Sequence, residues 1–321
     1  RSSRRRGTGI CTFRVVVDQS QLTQHQHPAL AGFFIPRGVY PSPVGDGAFP
    51  FFIGGTMYDK FAPLLEQAIT EPGIVSEAYR RFHRFSIGNQ ILAAVQLHQR
   101  DLPLSPIASF NRWKELGRSV CKGQKAISLW MPLTVKRRDK NDSSGDFGDT
   151  GEVFTVFKLA PRWFSLEQTE GEDYIEPVES PQWDAEAALA ALDITLEHFD
   201  LMDGNVQGYA VRRRIAVSPL AEYPHKTRFH EIAHVVLGHT LESDCHDAAS
   251  MPRSLQEVEA EGVAFLLCSI LDLPGRDESR GYIQSWLEGG QLPEKSAQRI
   301  FGVSQKILEA GRPGDREAVT Q

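Results

Sequence analysis

The sequence predicts an α+β chain of two domains, and three observations carry that reading. An acidic, Pro-bearing connector at residues 167–181 separates two regions of opposite charge. Before it, helix-period patterns give way to two β-like runs; after it, strand-like alternation leads into two strongly apolar helices. The 321 residues are 41% hydrophobic, 24% charged and 9% aromatic, enough for one or two cores, which excludes collagen, coiled coil and wholesale disorder. The net charge of -6 argues by itself against a nucleic-acid partner, but it is unevenly distributed. Residues 75–165 hold 15 Lys/Arg against 8 Asp/Glu, whereas residues 166–257 hold 6 against 18. A +7 block abutting a -12 block points to two domains with different partners.

Taken in order, residues 1–56 read as a poorly structured leader or upstream segment, with the Arg4-Arg5-Arg6 cluster, a Gln/His stretch around His25 and His27, and many Pro and Gly. The first domain is placed at residues 57–166. Phe61, Leu64, Leu65 and Ile69 recur at helical spacing until Pro72-Gly73, and Ile87, Ile91, Leu92, Val95 and Leu97 form the stripe of a second helix closed by Pro103 and Pro106. A short helix is expected over 109–116. The runs 126–130 and 153–159 read as strands flanking a basic run and a flexible tract at 141–151. Residues 167–181 are the linker and 182–321 the second domain. There, 185–192 is helical, 194–199 and 208–217 alternate like strands, and 227–237 and 255–271 are apolar helices. Further helical patterns occupy 282–287 and 297–310. No stretch approaches 18 apolar residues and no signal-peptide order is visible, so a cytoplasmic protein is expected. Cys11, Cys121, Cys245 and Cys268 are dispersed without a CxxC pair, as free thiols are.

His230-Glu231-Ile232-Ala233-His234 is an HExxH motif within a helical segment. Spacing i, i+4 puts both imidazoles on one face, where they can share a Zn2+ ion, with Glu231 placed to deprotonate a water. Catalytic zinc needs a third protein ligand. Glu257 and Glu261, four apart on the next helix, share a face and either can supply it, while Glu259 is expected to point to solvent. The arrangement resembles gluzincins, and that resemblance makes Glu257 the ligand and Glu261 the residue that orients a zinc-bound histidine. The metzincin pattern HExxHxxGxxH fails, because Leu237 and Thr240 stand at its Gly and His positions. His239 is read as a helix-terminal residue facing the dipole, and His225 and His246 as surface histidines. With the site complete, zinc would polarise a scissile carbonyl, Glu231 would pass a proton to the leaving amine, and 208–217 would hold a peptide as an edge strand.

In the basic half, cations alternate with rings: Tyr79 to Phe85, then Phe110, Arg112, Trp113 and Lys114, then Lys122, Lys125, Trp130 and Lys136-Arg137-Arg138-Asp139-Lys140. Cations suit a phosphate backbone and rings suit unstacked bases, although a solvated face accounts for the charge equally well. Ser86-x-x-Asn89-x-x-Leu92, Ala108-Ser109-Phe110-x-x-Trp113-x-x-Leu116-Gly117-x-x-Val120-x-Lys122-Gly123-x-Lys125, Phe157-Lys158-x-Ala160-Pro161 and Gln168-Thr169-Glu170-Gly171 resemble the N-terminal domain of the ArdC antirestriction family. Ala126 and Cys121 depart from the family pattern. The HExxH, Glu257-x-x-x-Glu261 and Tyr282-Ile283-x-Ser285-Trp286-Leu287 follow in matching order, so the resemblance spans residues 58–308.

That resemblance implies a single-stranded-DNA-binding domain ahead of a zincin-like metallopeptidase domain, and a role in protecting incoming mobile-element DNA from restriction. The DNA-contacting candidates are Arg84, Asn89, Arg112, Trp113, Lys114, Lys122, Lys125, Lys136, Arg137 and Arg138. Expected partners are single-stranded DNA and a protein or peptide substrate, with no membrane. Two other readings stay open: a regulatory zinc protease that cleaves a repressor, and a DNA-binding protein whose zinc is not catalytic.

Overall fold

The structure, a computed structural model, describes residues 11–14, 60–138, 149–175, 182–201, 206–240, 251–287 and 290–312. The readings placed on His25, His27, Cys245, His246 and most of the 141–151 tract lie outside these residues. Three helices open the first region: α1 (Phe61–Thr70), α2 (Ile74–Phe82) and α3 (Ile87–His98). The sequence reading passes over α2. Ile74, Val75, Ala78, Tyr79 and Phe82 nevertheless recur at helical spacing and are all buried, so Tyr79 and Phe82 belong to the core and are not free to stack on bases.

These helices pack on a sheet of order β2-β5-β4, formed by β2 (Ile107–Ser109), β4 (Ile127–Arg138) and β5 (Asp149–Ser165). Between β2 and β4 come α4 (Phe110–Glu115) and β3 (Arg118–Val120), and β3 pairs with β6 (Thr169–Gly171). Both long strands run well past the expected limits, because apolar and β-branched residues stay paired beyond Trp130: Leu133 stands opposite Val156 and Val135 opposite Phe154. This outer part of the hairpin leaves Leu133, Val135, Val156 and Phe157 exposed. Gly171 holds φ at 139°, and a Cβ there would collide with the Gly117 carbonyl, so the β3–β6 pair closes only with glycine at that position.

The second region contributes α5 (Ala185–Ala191), β7 (Thr195–Leu196), β8 (Val206–Val211), β9 (Arg214–Val217), α6 (Pro224–Leu237), α7 (Arg253–Ile270), α8 (Arg276–Leu287) and α9 (Glu294–Ala310). Its sheet has the order β1-β8-β9-β7, where β1 is Cys11–Arg14. Two expectations change here. The segment read as a leader supplies a strand, its Thr and Phe being strand-favouring, and β8 therefore has a neighbour on both sides instead of an open edge. The run at 194–199 shrinks to the two residues of β7, which pair in parallel with β9.

One apolar cluster extends from Leu64 to Leu308 and draws on both regions. Phe61 joins them, its ring 4.1 Å from that of Trp130 and 5.7 Å from that of Phe301. The carboxylate of Glu294 on α9 accepts the Phe61 and Ala62 N–H groups at 2.8 and 2.9 Å, capping α1 from a distance of 233 residues. Such a contact at a helix N-terminus stabilises by about 0.5–2 kcal/mol. The side-chain oxygen of Gln305 similarly accepts the Ile87 N–H of α3 at 2.9 Å. Among the described residues no helix is long and apolar enough to cross a membrane.

Candidate metal centre

Helix α6 starts with Pro224, which lacks the N–H that a first helical turn leaves unbonded, and ends at Gly238 with φ 80°. Its inner face carries His230, Glu231 and His234, all buried. Strand β8 passes so close that a Cβ at Gly208 would lie 3.0 Å from Glu231 Oε1 and 2.7 Å from Thr227. The absent side chain leaves room for the Glu231 carboxylate, whose buried Oε1 has no hydrogen-bond partner among the described residues.

Helix α7 runs beside α6 and brings in Glu257. Nε2 of His230 and Nε2 of His234 are 3.0 Å apart, and Oε2 of Glu257 lies 3.3 and 3.5 Å from them. Ligand atoms at about 2.0–2.1 Å around a tetrahedral ion are about 3.3 Å apart, so this donor set fits a divalent metal ion. Behind it, Nδ1 of His230 and Oε2 of Glu261 are 2.8 Å apart, while Glu261 Oε1 meets Lys226 Nζ at 2.7 Å. Lys226 stands one turn before His230 and completes the chain Lys226–Glu261–His230, a partner the sequence reading did not single out although its i, i+4 spacing was visible.

The titration of these groups follows from crowding negative charge out of water. Burial would lower the pKa of His230, but its bonds to Glu257 and Glu261 outweigh that and raise it to about 10. Burial lowers His234 to about 4. Burial also raises Glu231 to about 8, an effect that Glu257 and Glu261 strengthen and His230 opposes. Burial acts against ionisation of Glu257 and Glu261 too, yet the histidine bonds prevail, holding Glu257 well below the carboxylate range and Glu261 at about 2. The carboxylates crowded against His230 thus make this a place where positive charge is electrostatically favoured.

Two neighbours differ from expectation. Glu259 does not face solvent: its side chain is 0% exposed, 3.1 Å from His239 Nε2 and 3.3 Å from Arg299 Nη1. His239 does not look into the helix end; its Nδ1 lies 3.0 Å from Nδ1 of His234. Both follow from tertiary packing, since Arg299 comes from α9 and the Gly238 turn folds His239 back beneath His234. Of the other groups, His225 is exposed, while Cys121 and Cys268 are free thiols, the latter buried and pushed up to about 12.

The DNA-contacting candidates divide by exposure. Arg84, Arg112, Lys114, Lys122 and Lys125 are exposed, Arg112 in an ion pair with Glu115 at 2.9 Å. Lys136, Arg137 and Arg138 lie on the outer end of β4, and their side chains are outside the described residues. Two candidates are corrected. Trp113 is 1% exposed and its indole N–H donates to the Phe164 carbonyl at 2.8 Å, so it fixes α4 to β5. Asn89 is held by a two-way clamp, donating to the Trp130 carbonyl at 3.0 Å and accepting its N–H at 2.8 Å. Among the described residues of this region the exposed rings are instead Phe110, at 54%, and Phe157, at 63%. Both stood in the quoted motifs, but composition alone does not separate an exposed ring from a buried one.

The model of a family described as the N-terminal domain of anti-restriction factor ArdC matches residues 66–172. The metal-free crystal structure of antirestriction ArdC protein from the R388 plasmid is 20% identical, covering 78% of this chain and 94% of its own, with a TM-score of 0.47. The Mn(II)-bound structure of the same protein is 18% identical over 83% of this chain and 100% of its own, with a TM-score of 0.48. No curated protein matches the chain. Residues 66–172 are therefore similar to the N-terminal domain of the ArdC family.

Proposed function

We propose that this chain acts in antirestriction by binding single-stranded DNA through its first region, which β6 extends to Gly171 beyond the expected limit of 166, and by hydrolysing peptide bonds at a zinc centre within residues 182–321. The observation that supports the second half most directly is the convergence of His230, His234 and Glu257 within 3.0–3.5 Å, beside a buried Glu231 oxygen that has no partner among the described residues. Two imidazoles and one carboxylate are a donor set suited to zinc with an open position. A cation held there supplies Lewis-acid polarisation of a carbonyl. Glu261, itself held by Lys226, fixes the ring of His230. Glu231 takes a proton from the attacking water and returns it to the leaving amine. It does this only when ionised, and positive charge between the three ligands offsets the burial that pushes its carboxyl up. The DNA half rests on the ArdC N-terminal domain and on the exposed Arg84, Lys114, Lys122, Lys125, Phe110 and Phe157.

Glu231→Gln tests the reading. It is expected to retain equimolar zinc and DNA binding while peptide hydrolysis falls by more than about 100-fold. Full DNA protection by this variant in a restriction assay would favour a binding-only protein, and zinc that survives His230→Ala and His234→Ala unchanged would overturn the metal assignment.

A further inference from the structure

We propose that His239, backed by Glu259 and Arg299, is the residue that positions His234 for metal binding. The inference rests on the metal centre proposed above and adds to it a support for its second histidine. His230 already has one in Glu261, whereas among the described residues the carboxylate chain behind His234 runs through a third imidazole.

The hydrogen-bond directions along this chain are fixed by chemistry. An imidazole that ligates a metal through Nε2 and is neutral carries its proton on Nδ1. Nδ1 of His234 lies 3.0 Å from Nδ1 of His239, so His234 donates and His239 accepts. The proton of His239 is then on Nε2, which faces Glu259 Oε2 at 3.1 Å. Glu259 is buried and its Oε2 meets Arg299 Nη1 at 3.3 Å. Arg299 is itself tied to α6, donating from Nη2 to the Leu237 carbonyl at 2.6 Å. Every donor in this sequence meets an acceptor, and with His239 neutral only the tautomer of His234 that leaves Nε2 free satisfies the whole of it.

The local backbone gives the same result. Gly238 at φ 80° lets the His239 N–H donate to the His234 carbonyl at 2.9 Å, which turns the His239 ring back under His234. Glu259 occupies a fully buried position on α7 where an unpaired carboxylate is costly, so its pairing with both His239 and Arg299 is a condition of the packing.

The test uses the full chain. Nitrogen-15 NMR of the metal-free protein reads the His234 tautomer, and chelator competition reads zinc affinity. Wild type is expected to hold the His234 proton on Nδ1. His239→Ala is expected to populate the other tautomer and to bind zinc about 10–100-fold more weakly, the usual effect of losing an outer partner of a ligand. His239→Gln, whose amide accepts and donates with atoms spaced like the ring nitrogens, should recover most of that loss. Should His239→Ala not fold, Glu259→Gln keeps the volume and carries the same comparison. A His239→Ala protein with wild-type zinc affinity and an unchanged His234 tautomer overturns the proposal. Wild-type protein that takes up no zinc overturns the metal centre and this support with it, whereas the tautomer readout on metal-free protein fails or holds for His239 alone.

Discussion

The metal centre and the ArdC-type domain arrange their polar and aromatic residues in opposite ways. Around α6 and α7 the charged side chains are buried or half-buried and answer one another: Lys226, Glu261, His230, Glu257, His234, His239, Glu259 and Arg299 form a nearly continuous set of contacts. In the ArdC-type domain the charges stay in water and most of the rings go inside, Tyr79, Phe82, Trp113 and Trp130 among them. The difference teaches that a charge has to be explained by its partners in one region and by its exposure in the other. A buried ion without a counterpart is expensive, so contacts at the metal centre specify one arrangement. An exposed lysine costs little wherever it stands, so the set proposed to face DNA is defined by long-range field more than by any single contact.

The largest test of this contrast lies in the rings. Trp113→Ala should destabilise the fold by about 3–5 kcal/mol in chemical denaturation, because it empties a core position and orphans the Phe164 carbonyl. Phe157→Ala should leave stability within about 0.5 kcal/mol yet weaken single-stranded DNA binding by about 1–3 kcal/mol in a fluorescence titration. The reverse pattern would break the division between buried and exposed rings. A smaller effect is expected from Glu231→Gln in the metal-free protein. Its carboxyl is raised to about 8, so the native state retains a proton that the unfolded chain gives up near the ordinary value of 4.5. Stability from this group is complete at low pH and is lost as pH rises through about 8. The variant should therefore gain on wild type in melting temperature between pH 5 and pH 9 by more than about 2 °C, the shift that about 1 kcal/mol produces in a chain of this size. The smallest effect belongs to single cations. Lys122→Ala or Lys125→Ala should lower the salt slope of DNA binding by about 0.7 each and leave stability unchanged; a slope that does not move removes that lysine from the interface.

How far the sequence could be read follows the same line. HExxH and the Glu257/Glu261 pair are contacts within one or two helices, where spacing alone decides which face a side chain shares. Helical spacing also separates Glu259 from that face, but it says nothing about what packs opposite, and Arg299 lies on a different helix. The expectation of solvent there failed because a face away from the metal is still a face toward α9. Helix α2 was hidden because Arg80 and Arg81 interrupt the apolar pattern, and the length of β4 and β5 because their pairing, not their composition, extends them. Trp113 and Asn89 stand within the motifs that resemble the ArdC family, yet their hydrogen bonds are directed at the backbone of their own domain.

The capping of α1 by Glu294 has a bearing on synthesis. The ribosome delivers residues 61–171 well before it delivers α9, so the N–H groups of Phe61 and Ala62 and the ring of Phe61 wait for partners that emerge last. Native contacts this distant in sequence close slowly and late. The ArdC-type domain therefore reaches its final packing only once the chain bearing the metal centre is complete, which couples the appearance of one region to the successful translation of the other.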